Sequence, residues 1–336
     1  MKFFHIIGYI IVLTITVHFG FVYYDTISTR LTSPTRYLTS TLFTVNQAGL
    51  GNALFEILAV RGVAKTTNRQ AFVNLAEKEL VKNFDRRIKE SFPKLYAQFE
   101  FIDVDKNILL KVPFHGECCI QTHPRGIQNL TQPFVHIQGA YFQSFKYFDA
   151  MRDEIREWLR PAKKFFDIAD SYLKSDEQRN RFKICSHTRR GDFATDHMHS
   201  PTDMNFTVNA LKFLIEEYNH DHHNNLMLVF LGNDVKFETG ISDSFTDIDK
   251  LTLPKADPEI DLAFTRQYCD VVLITAPSST FGWWLGYLSK TGEAVYYEDI
   301  LETGDKVAQQ MIQQDFYPIH WVKLVTSRKD GRVNKL

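Results

Sequence analysis

The chain has 336 residues, long enough for two domains, and its 44% hydrophobic and 24% charged composition excludes a disordered polymer. Its 39 basic and 40 acidic side chains leave a net charge of −1, which gives no support to nucleic-acid binding. Its 28 phenylalanines and 14 tyrosines require heavy aromatic packing.

The first element is apolar. Ile6–Tyr24 lies between Lys2 and Arg30 and is about long enough to cross a bilayer. No convincing small-residue cleavage site follows, and Tyr23 and Tyr24 read as an interfacial anchor. The expectation is a cytoplasmic tail over 1–5, an uncleaved signal-anchor helix over 6–24 and a Ser/Thr-rich stem over 25–41. The body would then lie on the lumenal side. Asn129-Leu130-Thr131 and Asn205-Phe206-Thr207 are glycosylation sequons consistent with that placement.

Leu42–Val45 reads as a first strand and Gly49-Leu50-Gly51-Asn52 as a glycine turn. Ala53–Lys65 reads as a helix and Gln70–Leu75 as a second strand, which makes a βαβ unit. Asp103-Val104-Asp105 has the DxD form whose carboxylates hold a divalent cation on a diphosphate in metal-dependent transferases. Such triplets are also frequent by chance. Phe134–Ile137 reads as a strand, and Met151–Leu159 and Lys163–Leu173 as helices. The polar stretch Ser175–Arg181 marks a boundary. Beyond it the alternation resumes, with strands at Phe182–Cys185, Leu226–Leu231, Val271–Thr275 and Glu293–Tyr297 and helices between them. The result is a second open parallel sheet.

The cysteines are Cys118, Cys119, Cys185 and Cys269, and their spacing suggests no zinc site. Cys185 and Cys269 fall in expected buried strands, where core thiols are the simplest state, although an oxidising lumen allows one or two disulfides.

Open parallel sheets bind ligands beyond the carboxyl ends of their strands. Three segments of the second half meet there. Arg189-Arg190, beside Gly191, offers planar paired donors that match phosphate oxygens. Asn233 and Asp234 follow a strand, and Ser279-Thr280 opens a helix whose free N–H groups suit phosphate, although either residue also serves as an ordinary cap. Phe281, Trp284, Leu285 and Leu288 read as core.

In this order the segments resemble glycosyltransferase family 11, the α-1,2-fucosyltransferases. His187-Thr188-Arg189-Arg190-Gly191-Asp192-Phe193 is similar to that family's HxRRGDY motif, and Gly49-Leu50-Gly51-Asn52 to its N-terminal glycine turn. Gln138-Gly139-Ala140-Tyr141-Phe142-Gln143-Ser144, Leu228–Asp234, Thr280-Phe281-Gly282-Trp283-Trp284 and Phe316–Trp321 resemble four further segments, so the likeness runs over about 44–323. Two departures are that the turn lacks the usual arginine before Leu50 and has Ala53 where glutamine is usual, and that Gly232 stands in place of a serine.

The resemblance implies an α/β, GT-B-like architecture of two Rossmann-like domains. One would span 42–174 on the acceptor side and one 175–336 on the GDP-fucose side. It implies an inverting fucosyltransferase that moves L-fucose from GDP-fucose to a glycan hydroxyl, the 2-OH of galactose, with no cofactor and no required metal. Arg190, Arg189 and Asp192 are then the expected catalytic residues, Arg190 ahead of Arg189. His187, Arg189, Arg190, Asn233, Asp234, Ser279, Thr280 and Phe281 would bind the donor, and Asn233 and Asp234 would select guanine. Gly49, Gly51 and Asn52 form the N-terminal turn. Asp192 as base competes with Asp192 as an orienting partner for His187 or an arginine. The expected location is the Golgi membrane, single-pass type II. The competing readings are a non-catalytic carbohydrate-binding protein on the same fold and a metal-dependent GT-A enzyme using Asp103 and Asp105.

Overall fold

The computed structural model describes residues 35–114, 118–222 and 225–336. The expected tail and the 6–24 helix lie outside the described residues. Among the described residues, no helix is long and apolar enough to cross a membrane.

Two sheets organise residues 37–336. The first contains β1 (Tyr37–Ser40), β2 (Gln70–Asn74), β3 (Glu100–Ile102), β4 (Leu110–Pro113) and β5 (Phe134–Gln138). Its strand order is β3-β2-β1-β5-β4 and every pair is parallel. The second contains β6 (Phe182–Thr188), β7 (Leu226–Gly232), β8 (Asp249–Thr252), β9 (Val271–Ile274), β10 (Val295–Glu298), β11 (Val322–Thr326) and β12 (Val333–Lys335). Its order is β12-β11-β10-β9-β6-β7-β8, parallel except for the β11–β12 edge. The fold is therefore α/β with two predominantly parallel sheets.

The first strand is displaced from its expected place. Leu42–Val45 does not form a strand, and Tyr37–Ser40, assigned above to the stem, is the central strand of the first sheet. The cause is a buried carboxylate. Leu42 turns left-handed at φ 46°, and Phe43–Gln47 winds into a short helix, α1. Glu56 accepts the N–H groups of Phe43 and Thr44 at 3.1 and 2.8 Å, which holds that helix start in place. Burial raises the Glu56 pKa against these hydrogen bonds.

Leu50–Thr66 forms α2, which begins three residues before the expected helix and includes most of the glycine turn. Arg152–Trp158 (α3) and Lys163–Ser171 (α4) follow the first sheet. Met204–His222 (α5), Val235–Ser242 (α6), Pro258–Tyr268 (α7) and Thr280–Leu288 (α8) connect strands of the second. Trp283 and Trp284 of α8 are fully buried, as expected of core. Their indole N–H groups donate to Phe316 O at 2.8 Å and Gly51 O at 2.9 Å, so α8 is bonded to both α2 and the C-terminal segment.

The thiol expectation is also corrected. Cys185 lies in β6, but Cys269 sits between α7 and β9, and the two form a disulfide with Cα atoms 5.7 Å apart. Pairing of β6 with β9 brings them into bonding range. Cys118 and Cys119 form a second disulfide.

Candidate functional site

A cavity of about 880 Å³ opens where the carboxyl ends of β6 and β7 face the starts of α2 and α8. Its wall includes Gly49, Gly51 and Asn52 from the first half. From the second half it includes His187, Arg189, Asp192, Asn233, Ser279, Thr280 and Phe281. Most of the residues singled out in the sequence therefore meet at one place. Arg190 and Asp234 do not line the cavity.

Two helices begin there side by side. Gly49 caps α2 without a side-chain hydrogen bond, and the Ser279 hydroxyl caps α8 by accepting Gly282 N–H at 3.2 Å. First-turn N–H groups lack intrahelical partners and carry the positive end of the helix dipole. The close approach needs glycine. A Cβ on Gly51 would lie 2.6 Å from Phe281 N and 2.7 Å from Thr280 C. Asn52 Oδ1 joins the halves by accepting the Thr280 hydroxyl at 2.6 Å and Gln143 Nε2 at 3.0 Å.

The arginine pair divides its roles. Thr202 builds the turn: its hydroxyl accepts Arg189 N–H at 2.9 Å, and its carbonyl accepts Arg190 Nη1 at 2.9 Å. The Arg190 guanidinium stacks 4.2 Å from the Phe237 ring centroid and lies 3.8 Å from Asp234. Its main-chain N–H donates to Asn233 Oδ1 at 2.8 Å. Arg190 is thus occupied in bracing the loop. Arg189 faces the cavity, pairs with Asp192 at 2.8 Å, and keeps a buried Nε without a hydrogen-bond partner among the described residues. Of the two arginines, Arg189 is the one on the cavity wall. Asp192 lines the cavity beside Arg189, its ion-pair partner. Asp234 caps α6 by accepting Phe237 N–H at 3.1 Å.

His187 is 1% exposed in β6 and meets Phe281 edge-on at 6.0 Å. Burial, helped by Arg189, lowers its pKa to about 3, so the imidazole is neutral. It forms part of the floor under α8.

Sequence reasoning missed Asp261. This α7 residue is 6% exposed and lines the cavity. Burial, then the neighbouring Glu238, raises its pKa well above the carboxylate range. Glu238 is fully buried, accepts the Thr188 hydroxyl at 2.8 Å, and leaves Oε2 without a hydrogen-bond partner among the described residues. Gly232 makes room for this arrangement, since a Cβ there would lie 2.2 Å from Thr188 O. The available signal was an acid set among Ile260, Leu262, Ala263 and Phe264 on a helix that is otherwise buried.

Asp103 and Asp105 lie beyond β3, exposed and off the cavity wall, with Asp105 capping a helical turn at Asn107. Among the described residues, no three His, Cys, Asp or Glu side chains cluster as metal ligands would. The sequon asparagines Asn129 and Asn205 are both exposed.

The family model described as Glycosyl transferase family 11 matches residues 20–325. A galactoside 2-alpha-L-fucosyltransferase of Caenorhabditis elegans is 40% identical over 318 residues, covering 88% of this chain and 78% of that one. A second protein of that name from the same organism is 36% identical, covering 89% and 84%. Among solved structures, POFUT1 in complex with GDP-fucose aligns with a TM-score of 0.46 at 11% identity, covering 76% of this chain and 94% of that one. The fucosyltransferase NodZ from Bradyrhizobium aligns with a TM-score of 0.45 at 11% identity, covering 90% and 99%.

Proposed function

The chain belongs to glycosyl transferase family 11, and from that premise we propose that it transfers L-fucose from GDP-fucose to the 2-OH of a terminal galactose. The proposed reaction inverts the anomeric carbon. The observation that carries this reading is the convergence of Arg189 and the starts of α2 and α8 on one cavity wall.

When the bond from fucose C1 to the phosphate oxygen breaks, its electron pair leaves with GDP and positive charge develops on the sugar ring. Groups already fixed at the diphosphate stabilise that departing charge without reorganising. Arg189 supplies a planar fork, held by Asp192. The first-turn N–H groups of α2 and α8 supply partial positive charge from two directions. Arg190 acts through the loop it braces, and the neutral His187 supports α8. No metal is required in this scheme, because cationic side chain and helix ends take the part a bound cation would play.

Asp261 is the proposed guanine reader. A guanine edge presents adjacent N–H donors, and a carboxylate accepts two such bonds. Asn233 and Asp234 are less suited, since they hold Arg190 and α6. Burial, then Glu238, disfavours the Asp261 carboxylate, and a bound guanine would favour it.

The remaining proposals rest on sequence. The 6–24 segment is a retained signal anchor that places the body in the Golgi lumen, where Asn129 and Asn205 carry glycans. The two sheets correspond to the two halves of a GT-B enzyme, divided between 174 and 175, with the acceptor held by the first half.

The test is nucleotide binding with a chelator present. GDP should bind more tightly than UDP, and Asp261→Asn should erase that preference while Tm holds. Tighter UDP binding, or binding abolished by the chelator, would contradict the reading.

A further inference from the structure

Inverting transfer leaves a proton to be removed from the acceptor hydroxyl, and with Asp192 paired to Arg189 the obvious carboxylate is taken. The loop after the arginine turn holds an alternative. Asp196 Oδ2 lies 2.6 Å from His199 Nδ1. Asp196 Oδ1 accepts the main-chain N–H groups of Met198 and His199 at 2.9 and 3.0 Å. Burial would raise the Asp196 pKa, but these bonds together lower it to about 2, so the carboxylate stays ionised. It fixes the imidazole with Nδ1 as donor and leaves Nε2 to accept.

The ring is also held in place. It stacks on Phe193 with centroids 4.1 Å apart and planes 13° from parallel. Arg189 lies 5.4 Å from the same Phe193 ring. The loop is tied to its neighbour by Lys306 N–H donating to Met198 O at 2.9 Å and Ser200 N–H donating to Asp305 at 3.1 Å. His199, Phe193 and Arg189 line the same cavity. Among the described residues, His199 Nε2 has no hydrogen-bond partner.

Resting on the fucosyltransferase reading, we propose that His199, oriented by Asp196, is the base that takes the proton from the acceptor hydroxyl. The hydroxyl oxygen bonds to fucose C1 as the bond from C1 to the phosphate oxygen breaks. The electron pair leaves on GDP, and the hydroxyl proton moves to His199 Nε2 and then to water. The charged groups around the ring are Asp196 on its own loop, Asp305 and Lys306 on the loop packed against it, and Arg189 with Asp192 across Phe193. A carboxylate-held imidazole of this kind contributes on the order of 10²–10⁴ in rate.

The test compares wild type, His199→Gln, His199→Phe and Asp196→Asn. It measures fucose transfer to a β-galactoside against pH, together with GDP affinity and Tm. His199→Gln and His199→Phe should each lose on the order of 10²–10⁴ in kcat, with KM for GDP-fucose, GDP affinity and Tm unchanged. Wild-type kcat should rise with pH as one group deprotonates, and that limb should vanish in both variants. Asp196→Asn should lower kcat with KM, GDP affinity and Tm unchanged, because an amide no longer dictates which ring nitrogen carries the proton. His199→Phe preserves the stack, so near-normal turnover there would reduce His199 to packing and overturn the proposal. Loss of GDP affinity or Tm in step with kcat would overturn it as well. Wild-type turnover separates the two claims: no transfer from GDP-fucose defeats the fucosyltransferase reading, while an active wild type with an active His199→Gln defeats only the base.

Discussion

Arg189 and Arg190 are adjacent in sequence and unlike in situation. Arg190 spends its guanidinium on Thr202 O, the Phe237 ring and Asp234. Among the described residues, Arg189 has one ion pair and a buried Nε without a hydrogen-bond partner. Arg189→Lys should therefore lose on the order of 10²–10³ in transfer rate, the cost of one preorganised contact, with Tm preserved. Arg190→Lys should lower Tm first, because lysine can neither lie flat on Phe237 nor keep the fork that meets Thr202. Paired rate and melting measurements check this, and the reverse pattern would exchange the two roles. The sequence displayed both arginines at a strand end, but not which of them the loop had already engaged. That depends on Thr202 and Phe237, residues of ordinary type whose importance is set by where the chain returns. Asp261 was hidden for a related reason, since a lone acid on an apolar helix face gains meaning only when a cavity opens beside it.

At the scale of elements, the start of α2 carries the most tightly determined contact. A methyl group on Gly51 would collide with backbone atoms of Thr280 and Phe281, and backbone cannot swing aside as a side-chain tip can. Gly51→Ala should push the two helix starts apart and weaken GDP binding by about tenfold or more, the equivalent of roughly 1.4 kcal/mol. Isothermal titration with GDP checks it, and unchanged affinity would remove α2 from the diphosphate site. The βαβ order around this contact was readable because strands β5, β7 and β9 are dense in Val, Ile, Leu and Phe. β1 was not readable. Tyr37-Leu38-Thr39-Ser40 looks like stem, and it becomes a central strand because parallel neighbours on both sides bury it. The helix at Phe43–Gln47 was missed because Glu56, the group that holds its start, lies outside any local window.

The whole molecule carries a titratable load. Glu298 in β10 is 8% exposed, and burial, then Asp203, Glu302 and Asp299, push its pKa up to about 8. The folded protein then keeps a proton that the unfolded chain releases near the ordinary carboxylate value. The resulting stability is complete below that ordinary value and is lost as pH rises through about 8. Tm should fall between about pH 5 and about pH 8, and Glu298→Gln should flatten that slope. A wild-type Tm that climbs across the window would contradict the assignment. The Cys185–Cys269 disulfide spans a separation of 84 residues in the second half.

Arg189 and two helix starts are proposed as a GDP-fucose transfer site. This proposal is tested most directly by incubating the purified protein with labelled GDP-fucose and a β-galactoside, with chelator present, beside Arg189→Lys. Wild type should give a fucosylated product with an α-1,2 linkage, and the variant a rate lower by on the order of 10²–10³. Equal rates from the two proteins, or a wild type that transfers from a UDP-sugar and not from GDP-fucose, would contradict it.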